Sequence, residues 1–181
     1  METTLYTITV YSENHVGLLS QIALIFTRRQ LNIENLSVSA SAVQGIHKFT
    51  ITLECDERSV KNVVSQIEKR VDVIRAFYYV DSEIFTQEIA LYKVSTPCLL
   101  AGGGVSEIVS NFSVRILEVN EAYTIIEKSG SREKIQQLYD VLTSYNMLQF
   151  ARSGRVSITK ATIEEVSLFL EEQEQRREKQ E

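Results

Sequence analysis

The sequence predicts an α+β fold: two successive ferredoxin-like βαββαβ units, closed by a charged helix. Three observations carry this. Over the first 80 residues, apolar positions switch between period two and period 3.6 in the order strand, helix, strand, strand, helix, strand. The same order returns less cleanly over residues 88–160. Residues 164–181 then hold seven Glu against Arg176, Arg177 and Lys179, a net −4. The boundaries read as 1–82, 83–160 and 161–181.

In the first unit, Tyr6, Ile8 and Val10 alternate with Thr7 and Thr9, which places a strand near 4–11. Leu18, Ile22, Ile25 and Phe26 follow helical spacing and place a helix over 17–29. Ile33, Leu36, Val38 and Ala40 mark a strand near 33–41. The turn Val43-Gln44-Gly45 leads into a strand near 46–54, where His47, Phe49, Ile51 and Leu53 share one face. A second helix follows Cys55-Asp56 with Val60, Val63, Val64 and Ile67 on its apolar side. Val73 to Tyr79 is the closing strand. The link near Asp81-Ser-Glu83 has no Pro or Gly run, so a short connection is expected.

In the second unit, Glu88 to Val94 alternates as a strand, and Ala101-Gly-Gly-Gly-Val105 leads into a short, weak helical stretch. Val114–Val119 and Tyr123–Lys128 form a hairpin around Asn120-Glu121-Ala122. Ser131 is placed to cap a helix carrying Ile135, Leu138, Tyr139 and Leu142. A strand near 147–151 ends the pattern, and Arg152 to Ile158 can add another. Ile163, Val166, Phe169 and Leu170 give the tail's first turns an apolar face. It reads best as a solvated helix that frays toward its end; a helix docked on the body or on a partner is the sharper alternative.

Composition excludes several classes. The chain of 181 residues is 44% apolar with net charge −5, which leaves about −1 for the body without its tail. No basic stripe of a nucleic-acid binder is present. Apolar runs are short and broken by charges, so no membrane span is expected. The start Met1-Glu-Thr-Thr lacks a secretion signal. Cys55 and Cys98 form no spaced pair and read as free thiols in a reducing cytoplasm. His15 and His47, the only histidines, lie in different elements. They read as a loop residue and a strand residue ahead of a metal pair. No Ser/His/Asp or Cys/His set is arranged for nucleophilic catalysis.

The informative segment is Asn14-His-Val-Gly17-Leu-Leu19, between the first strand and first helix. The turn aims the first N–H groups of a helix at whatever sits on it, a seat for a small anion such as a carboxylate. Gly17 lets a ligand approach the backbone closely. Asn14 offers both a donor and an acceptor. A free amino acid needs donors for its carboxylate and acceptors for its ammonium.

Asn14-x-x-Gly17, Phe26-Thr-Arg-Arg-Gln-Leu-Asn32-Ile33 and Leu36-Ser-Val38 resemble the ACT domain. Three further stretches narrow the resemblance to the regulatory small subunits of acetohydroxyacid synthase, also called acetolactate synthase. They are Val71-Asp-Val-Ile-Arg75, Glu88-Ile-Ala-Leu-Tyr-Lys93 and Ala151-Arg-Ser-Gly154-Arg-Val156. The likeness spans residues 4–160 and makes the units an N-terminal ACT domain and a C-terminal small-subunit domain. Gln30 stands where the family usually has Gly, so a different helix-end geometry is expected.

The resemblance implies a non-catalytic subunit. Its large partner condenses pyruvate with a second 2-oxo acid on the way to valine, leucine and isoleucine. The small subunit raises that partner's activity and confers feedback inhibition by one of these amino acids. It needs no cofactor of its own; thiamine diphosphate, Mg²⁺ and FAD would belong to the large subunit. The implied effector site is Asn14, His15, Val16, Gly17, Leu18 and Leu19, with Asn32 and Ile33.

Asn14 and Asn32 flank the first helix at opposite ends, roughly 20 Å apart at 1.5 Å per residue. If both touch one amino acid, they must come from two copies, so a homodimer through the first domain is expected. Either asparagine alone would read as a turn or helix-end residue. The competing function is a free-standing amino-acid sensor that controls another partner. A weaker one is an acylphosphatase-like enzyme, whose signature Val43 to Phe49 partly resembles. Here that segment sits in a hairpin and not at the start of the first helix. Gly102-Gly-Gly104 lacks the spacing of a phosphate cradle and reads as a loop.

Overall fold

A computed structural model describes residues 3–101, 105–163 and 165–178. The Gly102-Gly-Gly104 loop lies outside them. The chain forms two compact units, residues up to Phe85 with those from Ser157 onward, and Thr86–Val156.

The first unit runs β1 (Thr4–Glu13), α1 (Leu18–Arg28), β2 (Asn35–Ala40), β3 (Ile46–Cys55), α2 (Glu57–Ile67) and β4 (Val73–Val80). Its sheet has the order β2-β3-β1-β4, and every pairing is antiparallel. Strand alternation decides what lies beneath the helices. Tyr6, Ile8 and Val10 of β1 and Phe49, Ile51 and Leu53 of β3 share one core with Leu18, Ile22 and Phe26 of α1 and Val60, Val63 and Ile67 of α2. Ile8, Val10, Ile51 and Leu53 have no exposed surface. Asp56 caps α2: its Oδ1 accepts the Ser59 N–H at 2.9 Å and its Oδ2 the Ser59 hydroxyl at 2.7 Å. These bonds hold its carboxyl below the usual range.

The second unit contains β5 (Ile84–Ser95), α3 (Thr96–Ala101), α4 (Val105–Phe112), β6 (Arg115–Val119), β7 (Tyr123–Gly130), α5 (Arg132–Thr143) and β8 (Met147–Arg152). The order β6-β7-β5-β8 repeats that of the first sheet. Tyr92 lies at its centre. Burial pushes its phenol up to about 12, and the hydroxyl donates to the Ile135 carbonyl at 2.7 Å. Ser131 stands at the cap position of α5 without accepting a helix N–H. Its hydroxyl meets the Glu133 side chain instead and holds that carboxyl below its usual range.

The two stretches that open and close this unit meet through Glu88. That side chain is 6% exposed, with Arg152 Nε at 3.4 Å and Arg155 Nε at 3.7 Å. The Ser153 N–H donates to the Ile89 carbonyl at 2.8 Å, and the Ile89 N–H to Ser153 Oγ at 2.9 Å. These contacts tie the 152–155 stretch to β5 and pair a buried carboxylate.

The chain ends with β9 (Val156–Thr159), which pairs with β5, and α6 (Glu165–Glu178). Val166 is 1% exposed and packs with Tyr11 and Ile46, alongside Leu170, Ile74 and Phe77. Register places Tyr11, Ile46 and Phe77 on the face turned away from α1 and α2. Arg75 stacks over the Phe169 ring at 5.2 Å. The expectation of a solvated tail is therefore corrected for its first turns, which dock on the body because the sheet face there is apolar and otherwise bare. Its apolar residues cover the bare side of the first sheet.

Candidate functional site

The first strand ends at Glu13 and the chain turns through Asn14, His15 and Val16, all exposed. Gly17 is the N-cap of α1, with φ 90° and ψ −9°. A Cβ built there would meet nothing within 4 Å. Glycine is therefore required by the sign of φ and not by crowding. No side chain caps this helix. The Leu18 N–H makes a long 3.4 Å bond to the His15 carbonyl, so the first turn offers donors to solvent. Leu18 itself is 1% exposed and belongs to the core; it can contribute only backbone. Leu19 is 44% exposed and Val16 fully so.

His15 is tied down. Its Nδ1 lies 2.6 Å from Asp72 Oδ1, and its Nε2 lies 3.7 Å from Glu13 Oε2. The hydrogen bond to Asp72, then that carboxylate's charge, raises the imidazole pKa. The Glu13 N–H donates to the Asp72 carbonyl at 3.0 Å. The loop is thus pinned to the segment that enters β4. Ligand atoms of Glu13, His15 and Asp72 lie within 4.8 Å of one another. The hydrogen bond to Asp72 occupies His15 Nδ1 in this group.

The other end of α1 is closed differently from expectation. Gln30 has φ 55°. The Leu31 N–H donates to the Phe26 carbonyl at 3.1 Å and the Gln30 N–H to the Thr27 carbonyl at 3.0 Å. This is the full Schellman pattern. Gln30 therefore takes up the glycine geometry and bears its strain, and the altered helix end expected from the residue type does not occur. The reason is the apolar contact that completes the motif: Leu31 packs on the core that contains Phe26.

Beyond this cap, Asn32 is exposed and its Nδ2 donates to Glu34 Oε1 at 2.6 Å. Ile33 is half-buried against the core. The helix has 11 residues, so its ends alone are about 16 Å apart at 1.5 Å per residue. The structure brings Asn14 to Leu19 together at one end and leaves Asn32 and Ile33 at the other. Asp72 and Glu34, which orient His15 and Asn32, were not singled out from sequence. Asp72 is 57 residues from His15, and only antiparallel β1/β4 pairing makes them neighbours.

Residues 8–75 match the family described as the AHAS small subunit-like ACT domain. Residues 87–161 match that described as the small subunit of acetolactate synthase. The probable acetolactate synthase small subunit of Archaeoglobus fulgidus is 30% identical over 86% of this chain and 96% of its own length. The acetolactate synthase small subunit of Aquifex aeolicus is 30% identical over 92% of this chain and 85% of its own. The crystal structure of the Thermotoga maritima small subunit superposes with a TM-score of 0.79 at 23% identity, covering 88% of this chain and 99% of that one. It shares the fold.

Proposed function

The chain belongs to the acetolactate synthase small subunit family, and from that premise we propose how it senses and regulates. It activates a catalytic large subunit that carries thiamine diphosphate, Mg²⁺ and FAD. It also makes that enzyme sensitive to a branched-chain amino acid. The effector carboxylate sits on the open first turn of α1 at Gly17 and Leu19. Its ammonium meets the Asn14 side-chain oxygen, and its apolar side chain lies along Leu19 and Ile33. Asn32 and Ile33 come from a second copy, because a free amino acid cannot span about 16 Å.

The observation that carries this reading is the placement of two polar clusters at opposite ends of one helix beside an unpaired sheet edge. β2 ends the first sheet. Leu36 is 36% and Val38 42% exposed on it. A two-fold axis along that edge buries both side chains and faces each Gly17 turn with the other copy's Asn32. The effector then needs only to favour a less active arrangement of the complex, and couplings of about 1–3 kcal/mol suffice.

The test is a substitution pair. Asn and Asp both tolerate positive φ, so Gly17→Asn and Gly17→Asp isolate charge from backbone strain. Both should activate the purified large subunit. Gly17→Asp should resist valine, leucine and isoleucine at concentrations that inhibit the wild type, with Gly17→Asn less affected. Normal inhibition of Gly17→Asp would remove the site from this turn. Failure of the wild-type chain to activate the synthase would remove the partner.

A further inference from the structure

The C-terminal ends of α1 and α2 border an open cleft of about 480 Å³, lined by Ile25, Arg28, Arg29, Gln66, Lys69 and Arg70. Four cations thus converge on one cleft of a chain whose net charge is −5. A plain explanation is compensation of helix dipoles. Each helix C-terminus carries roughly half a negative charge. Two ends account for about one unit, against four positive charges. The surplus is large, and among the described residues no carboxylate pairs with any of the four. Glu68 is taken by Arg75 at 3.1 Å and by the Ala76 N–H at 3.2 Å. Asp72 pairs with His15.

Two details sharpen this. Arg29 Nε donates to Gln66 Oε1 at 3.1 Å. That fixes one guanidinium across the cleft through its Nε and leaves its terminal N–H groups outside this bond. Arg70 Nε is buried and has no acceptor, a state that costs free energy until an acceptor arrives. Guanidinium forks match the oxygen geometry of phosphate groups better than a point charge does. The volume is that of a small-molecule site. With a single apolar wall at Ile25, it suits charge more than hydrocarbon.

We propose that this cleft binds a small polyanion carrying phosphate groups, one per chain, at the opposite end of α1 from the Gly17 turn. The contacts are electrostatic and bidentate, so binding weakens as salt rises. Phosphate chains free in solution and the phosphate tail of a nucleotide present the same chemistry to it.

The test uses the full-length chain and inorganic tripolyphosphate as the probe, followed by calorimetry. Saturable 1:1 binding is expected, tighter than for orthophosphate. Arg28 and Lys69 are exposed, so Arg28→Ala and Lys69→Ala should leave folding intact while weakening the complex about tenfold each. Gly17→Asp should bind the probe as the wild type does, which separates this site from the effector reading. A nucleoside triphosphate that binds more tightly than tripolyphosphate assigns the source as a nucleotide; equal affinities assign the phosphate chain alone. Non-saturating binding, or unchanged affinity in both alanine variants, would overturn the proposal. So would displacement of the probe by poly-glutamate at equal charge, which would make the cleft a protein-docking surface.

Discussion

At the scale of single residues, Gly17 is demanded by its φ of 90°, and the space beside it is open. At Gln30 the same backbone sign is borne by a residue that dislikes it. A left-handed conformation costs a non-glycine residue about 1–2 kcal/mol, and glycine gives back part of that as unfolded-state entropy. Gln30→Gly should therefore stabilise the chain by about 0.5–1 kcal/mol, read as a higher denaturant midpoint at unchanged slope. A lower midpoint would mean that the Gln30 side chain contributes more than the strain removes. His15 gives a pH signature. Its folded pKa is raised, so the stability from its Asp72 pair is complete below the unfolded value of about 6.5. That stability is lost as pH rises through the folded value. An NMR titration should place His15 above the ordinary range, and Asp72→Asn should bring it down. Identical titrations in both proteins would dissolve the pair.

At the scale of elements, long periodic segments were readable because their burial is one-sided. The apolar positions of α1 and α2 face the sheet where the 3.6 period put them. What escaped was α3. It has six residues and begins Thr96-Pro97, and one turn and a half is too short for periodicity to register. Proline at its second position favours a start there, a local signal that outweighed the missing pattern. The tail was ambiguous for another reason. Its apolar stripe is brief and its composition acidic, so only the bare sheet face decides that it docks. Val166 anchors that contact. Val166→Asp would bury an unpaired carboxylate and should release α6. Amide exchange should then accelerate along residues 166–176 while β1 and β3 keep their protection. Unchanged protection of α6 would show that Leu170 and Phe169 hold it without Val166.

At the scale of the whole molecule, the repeat of one sheet order in both units was legible, because each strand's alternation is set by the same half-buried geometry. The candidate site was legible as a list of residues and illegible as a place. Asn14 and Asn32 are near in sequence yet separated by the length of α1, and no intrachain contact joins them among the described residues. The proposed pocket, shared by two copies, makes a prediction that a pocket within one chain cannot imitate. In a Gly17→Asp homodimer every pocket has a blocked turn. In an Asn32→Ala homodimer every pocket lacks its far wall. A mixed dimer has one pocket with both defects and one with neither. Random exchange of equal amounts makes half the dimers mixed, so about a quarter of all pockets are restored. Two proteins that each fail to bind valine, leucine or isoleucine should therefore regain saturable binding on mixing, at about one site per four chains. If each chain held its own site, mixing would restore nothing, since every chain would keep its defect. The same mixture added to the large subunit should recover part of the inhibition that neither variant supports alone.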